Sequence, residues 1–335
     1  MDNLTHTLSG IVLARAGLGR DLPHSALLLA LASNTPDIDI LTGLDSSLAY
    51  LHHHRGWTHA FAFSPFVALF ALPLWAWFAR KHKPSPRHYA AAWLLATAGV
   101  LAHHLMDWLN VYGIRLLLPF RSDWFRLDLV HIVDIWVWLI LLMALAIPAL
   151  TRLVYSEIGA KSGSGRGAAW FAIFLLAAYF GLRYETHARA VAHLDSRLFS
   201  GHPPIRVAAV PGPINPLTWT GIIETRHSWH IVDVNLLRPF DPDSGLRFHR
   251  PGLTPAILAV RQTETARIFL GFSQWPVYRV VPAPGPPGSL DVFIHDIRFG
   301  PPSDMRFTAK FSVSPDMRVT DEQFMFGSFG GGLNR

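Results

Sequence analysis

Cysteine is missing from all 335 residues. Disulfides, thiolate metal sites and thiol nucleophiles are excluded with it, so any metal must be held by His, Asp or Glu. Charge is scarce as well: 16% of residues are Asp, Glu, Lys or Arg, against roughly 25% in an average soluble protein. Half of the chain is hydrophobic, which points to a membrane. Apart from the short RKHKPSPR stretch there is no dense Lys/Arg run with interleaved aromatics. The net charge of +6 therefore reads as a membrane-topology signal, and no nucleic-acid partner is expected. The H-E-x-x-H signature of many zinc proteases does not occur. MDNLTHTLSG has neither the charged n-region nor the small-residue cleavage site of a signal peptide, and reads as mature sequence.

What is abundant is long apolar runs. Four of them, 60–79, 89–106, 132–150 and 168–182, approach the ~20 residues a spanning helix needs. Two shorter ones, 3–16 and 23–35, flank GLGRD and are each too short to cross alone. They predict a helical hairpin packed against the bundle or dipping into it. From about residue 203 the period changes. TWTGIIETRHSWHIVDVNLL, AILAV, TARIFLGFS, VYRVV, LDVFIHDIRFG and RFTAKFSV are short alternating or β-branched runs broken by Pro, Gly and Asp. They read as antiparallel strands of a small sandwich or barrel. PAPGPPGS is a turn-rich loop and GSFGGGLNR a frayed tail.

The expected fold class is thus an α-helical membrane bundle, with about four transmembrane helices plus an N-terminal short helical hairpin, followed by a β-rich soluble domain. The division expected is 1–182 for the membrane domain, 183–202 for a helical connector along the interface, and 203–335 for the β domain. No internal repeat is visible.

Lys and Arg concentrate in loops 80–88 and 151–167, which makes that face cytoplasmic under the positive-inside rule. The C-terminal domain then lies on the outer, periplasmic side of an inner membrane. The opposite face gathers the chemistry. Asp37 and Asp39 follow the short hairpin, His54 and His59 precede the first span, His103, His104 and Asp107 end the second, and His131 and Asp134 begin the third. Ionisable groups at one membrane depth are costly and ordinarily face a polar interior or a partner. In HHLMD, His103 and Asp107 stand at i and i+4; in HIVD, His131 and Asp134 stand at i and i+3. Each pair projects from one helix face and can serve one ion.

Imidazole and carboxylate without thiolate suit zinc, and manganese or iron less specifically. A single interfacial histidine is more often a solvated side chain, so His24, His82 and His88 stand apart. At most one or two histidines of HHHRG can face one site, and an Asp-rich turn such as PDID alone is more often a cap.

MDNLTHTLSGIVLARAGLG, TPDIDIL, HRGWTHA, HHLMDWLNVYGIRLLLPF and VDIW together resemble the membrane-bound metal-dependent hydrolase family, over roughly residues 1–180. The resemblance implies hydrolysis and leaves the substrate class open. A remoter similarity is to the order of ligands in the zinc-dependent phospholipase C and single-strand nuclease family, which His6, Asp37, His59, His103 and Asp107 match. The spacing of His131 and Asp134 departs from that family's later ligands, so one or two ions are expected instead of three.

His59, His103 and Asp107 are the first candidate ligands, with Asp37 as a bridging ligand or catalytic base. His54, Asp39 and Asp134 are ligands or their supports, and His6 and His131 complete the set. Arg55 stands ready to clamp an anionic group such as a phosphate, or else is an interfacial arginine. Thr58 holds a ligand by a hydrogen bond, and Gly56 permits a tight turn. YGIRLLLPF reads as a re-entrant or interfacial segment with Arg115 and Arg121 toward lipid headgroups.

The function expected is metal-activated hydrolysis of an ester or phosphoester of a lipid or lipid-linked substrate, with the bilayer itself as partner. Two readings of other classes stay open: a non-catalytic membrane protein with a structural metal or polar cluster, and a haem-binding electron carrier, which the four carboxylates oppose.

Overall fold

The computed structural model describes residues 1–160, 163–212, 214–302 and 307–326; the GSFGGGLNR tail lies outside them. Four helices are long and apolar enough to cross a bilayer: Phe61–His82, Pro86–Leu109, Ile135–Glu157 and Arg166–Asp195. Each covers one expected run. At ~1.5 Å per residue even the shortest exceeds the ~30 Å hydrocarbon thickness. Their outer faces carry large apolar side chains, with Phe66 65% and Phe174 69% exposed, a surface that lipid tolerates and water does not.

The first span is not a uniform α-helix. Pro65 and Pro73 each open a new α turn, and 3-10 turns at Phe61–Phe63 and Ala68–Ala71 precede them, because proline supplies no N–H to the turn before it. The fourth span runs on to Asp195. The residues expected as a separate connector begin as its C-terminal turns, since RYETHARAVAHLD contains no Gly or Pro to stop a helix. Within it Arg183 is buried and donates from Nε to the Leu129 carbonyl at 2.7 Å.

The two short N-terminal runs form the helices Asn3–Ala16 and Ser25–Ala32. Asp2 caps the first by accepting from the Thr5 N–H, and Gly17 closes it with a φ of 115°. The hairpin nests deeply because small residues line its contacts. A Cβ on Gly10 would stand 2.5 Å from the Leu29 carbonyl oxygen, and one on Gly99 of the second span 2.9 Å from the Ala32 Cβ. Close approach of this kind lets dispersion hold helices together where lipid cancels the hydrophobic effect. Trp75, fully buried, donates its indole N–H to the Pro23 carbonyl at 2.8 Å and pins the hairpin turn to the first span.

By contacts the chain divides into two units. Met1–Asp39, Arg55–Ala188 and Pro211–Thr218 make one; Ile40–His54, Arg189–Val210 and Trp219–Arg335 make the other. The helix Ser47–His53 thus folds with the second unit, where Ser47 Oγ donates to the Phe324 carbonyl.

That unit contains two four-stranded sheets, each in sequential order. One comprises β1 (Arg206–Pro211), β2 (Thr218–Glu224), β3 (Ser228–Asn235) and β4 (Leu246–His249). The other comprises β5 (Pro276–Pro282), β6 (Leu290–Asp296), β7 (Phe307–Val313) and β8 (Val319–Phe326). In the second sheet Tyr278 opposes Ile294, Ile294 opposes Ala309 and Ala309 opposes Phe324, all antiparallel. PAPGPPGS turns the chain between β5 and β6.

Two expected strands are helices instead. AILAV lies in Pro255–Val260 and TARIFLGFS in Glu264–Phe272. Thr254 and Thr263 cap them, and Ala266, Phe269 and Phe272 are buried three residues apart, a helical period.

Candidate metal centre

Three segments deliver four polar side chains to one end of the bundle. The 3-10 segment Thr35–Leu44 begins with Asp37, the turn Trp57–His59 ends on His59, and the last two turns of Pro86–Leu109 carry His103 and Asp107. The i, i+4 spacing works as the sequence predicts, with His103 Nε2 3.3 Å from Asp107 Oδ2. His59 Nε2 lies 3.1 Å from His103 Nε2, 3.4 Å from Asp37 Oδ1 and 3.6 Å from Asp107 Oδ2, and His103 Nε2 is 3.7 Å from Asp37 Oδ1. A tetrahedral ion with bonds of about 2.0–2.1 Å spaces its ligand atoms about 3.3–3.4 Å apart. The four atoms therefore match the cage of such an ion.

The supports fix which atoms face inward. His103 Nδ1 lies 2.8 Å from the Ser33 carbonyl, so it carries the proton and Nε2 is left as the donor. His59 Nδ1 is 2.9 Å from Thr58 Oγ1 and 3.3 Å from Asp39 Oδ2, with the same effect. Asp39 also accepts from the Arg55 N–H at 2.9 Å and the Thr58 hydroxyl at 3.1 Å. Asp107 Oδ2 is buried without a hydrogen-bond partner, and so are both ring nitrogens of His6. Buried polar atoms are rarely left so, and Asp107 Oδ2 is suited to accept a cation.

Burial opposes ionisation of Asp37. Electrostatic interaction with His103, a hydrogen bond from His59 and the Arg55 guanidinium outweigh it, and the carboxyl is held well below its ordinary range. Burial also pushes the His6 imidazole well below its ordinary value, helped by His103 and the terminal amine, so the ring is neutral.

His6 is fully buried and stacks on His103 at 3.7 Å, with Nε2 3.4 Å from Asp107 Oδ1. It stands behind the cage. The Met1 amine also contacts Asp107 Oδ1.

Arg55 differs from its expected role. It is 3% exposed, and its guanidinium is engaged by Asp107 Oδ1 at 3.1 Å, Asn110 Oδ1 at 3.0 Å and the Gly113 carbonyl at 3.3 Å, above the Tyr112 ring at 4.7 Å. It is committed to Asp107 and Asn110, where an anion clamp or an interfacial arginine was expected. The left-handed residue of its turn is Arg55 itself, with φ 54°, and not the neighbouring Gly56. A non-glycine residue held there is strained, a condition that concentrates at functional sites.

His131 and Asp134 are not brought into this group. Asp134 is the N-cap of the third span, accepting from Trp136 N at 3.0 Å, Val137 N at 3.2 Å and the Tyr179 hydroxyl at 3.0 Å, and His131 is half-buried in the preceding loop. His54 closes the Ser47–His53 helix of the second unit, its ring stacked on Tyr50 at 4.5 Å. His52 and His53 are exposed, as expected.

Two neighbours of the group escaped sequence reasoning, while His104 was among the residues it gathered. Asn110 receives Arg55 and donates to Asp107 at 3.2 Å, and Tyr112 underlies the guanidinium. His104 is buried, with its ring centre 5.8 Å from that of His59. The i+3 spacing of Asp107 and Asn110 was the available signal for the first.

A helical bundle that buries imidazoles and carboxylates together at one end defines a polytopic membrane protein with a candidate metal centre. Residues 1–190 match the family model described as YdjM inner membrane protein, and the chain belongs to that family. It is also similar to the Uncharacterized protein YfhP of Bacillus subtilis (strain 168), 25% identical over 288 residues that cover 83% of this chain and 81% of the relative. No solved structure matches.

Proposed function

We propose that this protein is a membrane-bound metal-dependent hydrolase, in which Asp37, His59, His103 and Asp107 surround a divalent ion. The near-tetrahedral cage of ligand atoms, with five separations between 3.1 and 3.7 Å, carries the reading. Its dimensions favour zinc, with manganese or iron as alternatives, and one ion fills it.

The cage has one open corner. The Asp37 side chain is 12% exposed while those of His59, His103 and Asp107 are 0%. A structural ion has no need of an approach; a catalytic one has. When bound, the ion supplies Lewis acidity and brings the pKa of water toward neutrality. Standing off the ion at that corner, Asp37 would leave the fourth position to water and would accept its proton, with His59, His103 and Asp107 as the holding ligands. Arg55 and Asn110 orient Asp107, and Ser33, Thr58 and Asp39 hold the two imidazoles in the ligating tautomer.

The substrate class is an ester or phosphoester of a lipid or lipid-linked molecule. Trp57 (50%), Phe61 (46%) and Phe120 (83%) are exposed on segments that meet through the Phe61 N–H and the Leu116 carbonyl. Arg121 beside them is exposed and pairs with Asp123 at 2.8 Å. Aromatic and cationic side chains of this kind sit at headgroup level. We retain 1–182 as the hydrolase domain, with 183–202 as the connector and 203–335 as a soluble β domain on the periplasmic side.

Elemental analysis of the detergent-purified protein and of its His59→Ala and Asp37→Asn variants, beside thermal unfolding, tests the ion. Stoichiometric metal in the wild type, lost in a His59→Ala protein that still unfolds cooperatively, supports the site and justifies a lipid-ester and phosphoester screen. Absence of metal after attempted reloading sinks it. Bound metal without turnover of any ester leaves a structural ion.

A further inference from the structure

The end of the first unit away from the metal cage holds a second site that the hydrolase reading does not use. A cavity of about 260 Å³ lies between the helix Asn3–Ala16 and the third span, lined by Ile11, Ala144, Leu145, Pro148, Arg15 and Arg152, among others. It is just below the ~300 Å³ at which pockets begin to enclose a whole small ligand, a size for part of a lipid.

Its polarity is graded along the membrane normal. Arg15 follows Ile11 by one turn and Arg152 follows Pro148 by one turn, on two helices that run in the same direction away from the cage. Both arginines are exposed, whereas Ala144 is buried and Leu145 and Pro148 are half-buried. The slot is thus apolar toward the bilayer centre and cationic toward the surface. That is the profile of a phospholipid, with its tail in the core and its phosphate at the interface.

The walls are built to keep the slot open. Pro148 has no N–H to return to the Ala144 carbonyl, so an acceptor at the slot lacks its usual helical donor. Gly165, at φ 75°, approaches Pro148 so closely that a Cβ there would lie 2.9 Å from the Pro148 Cβ. Arg166, next in the chain, donates from Nε to the Ala16 carbonyl at 2.9 Å and ties the rim together. Among the described residues, no acidic side chain lines the cavity beside Arg15 and Arg152.

We infer that this slot binds an anionic phospholipid of the cytoplasmic leaflet, its phosphate between Arg15 and Arg152 and its glycerol and upper acyl chain against Ile11, Leu145 and Pro148. The inference is independent of the hydrolase reading, since no cage ligand takes part.

The test uses the full-length protein in mixed micelles. Phosphatidylglycerol is expected to raise the unfolding temperature of the wild type, and phosphatidylcholine to leave it unchanged. In native mass spectrometry the wild type is expected to retain phosphatidylglycerol. Arg15→Gln/Arg152→Gln should lose most of both signals, while Arg80→Gln/Lys81→Gln, which removes the same charge outside the slot, should keep them. Ala149→Trp keeps both arginines and fills the slot from its exposed side; it should lose them too, and covers the case in which the double variant fails to fold. Retention by both slot variants overturns the proposal, as does an equal loss in the control. A shift reproduced by glycerol phosphate alone shows a free-anion site and overturns it as well.

Discussion

Asp107 shows how a single carboxylate is used on both sides. Oδ2 faces the cage, and Oδ1 takes Arg55 at 3.1 Å and the Asn110 amide at 3.2 Å. Its partners make Asp39 the cleaner probe of support, since Asp39 touches His59 only through Nδ1. Asp39→Asn is expected to weaken metal binding by roughly 10–100-fold while leaving the ligands in place, read by competition with a chelator. An unchanged affinity would remove Asp39 from the site.

In the second unit Asp296 and Arg298, both with side chains 0% exposed, pair at 2.7 Å. Burial raises the Asp296 carboxyl, but the charge and hydrogen bonds of Arg298 win and hold it below its ordinary 3.8. The stabilisation is therefore complete above that value and is lost as pH falls through the lower folded value. Asp296→Asn removes a buried ionic partner of Arg298 and should lower the unfolding temperature at neutral pH and flatten the acid limb. A variant as stable as the wild type would show the pair to be dispensable.

At this scale the sequence spoke clearly where chemistry coincides with helical spacing, as in His103 and Asp107. It pointed to Arg55 as an anion clamp or interfacial residue, and could not show the pairing with Asp107 and Asn110, which come together only in the fold. It misled at Asp134, because an aspartate that caps a helix and one that binds a metal look alike in a string.

Elements were legible by length. The four spans and the short hairpin follow from apolar runs alone, because a bilayer fixes how long a helix must be. The helices Pro255–Val260 and Glu264–Phe272 were not. Each is short and rich in residues common to strands, and the distinguishing Thr caps count only once the period is known. The tight nesting of the hairpin gives a sharp expectation. Gly10→Leu forces a side chain into the Leu29 backbone, with the bare Cβ already at 2.5 Å, so the variant should fail to yield a monodisperse, metal-loaded protein on size-exclusion chromatography. Gly181→Leu, in the fourth span, where a Cβ meets nothing within 4 Å, should behave as the wild type. If Gly10→Leu also does so, the hairpin is not packed this closely.

For the whole molecule, absence of cysteine makes topology directly measurable. Single cysteines at Lys81 and at the exposed Asp243 are the only thiols in their chains. A membrane-impermeant maleimide added to spheroplasts should label Asp243→Cys and spare Lys81→Cys until the membrane is breached. The opposite pattern inverts the protein and moves the cage to the cytoplasmic face. The order of the ligands along the chain has its own consequence. Asp37, His59, His103 and Asp107 all precede the third and fourth spans and every strand. If the proposed ion is bound, the cage could close around it while most of the chain is still being made. Scarcity of metal during synthesis would then be felt first in the assembly of the bundle.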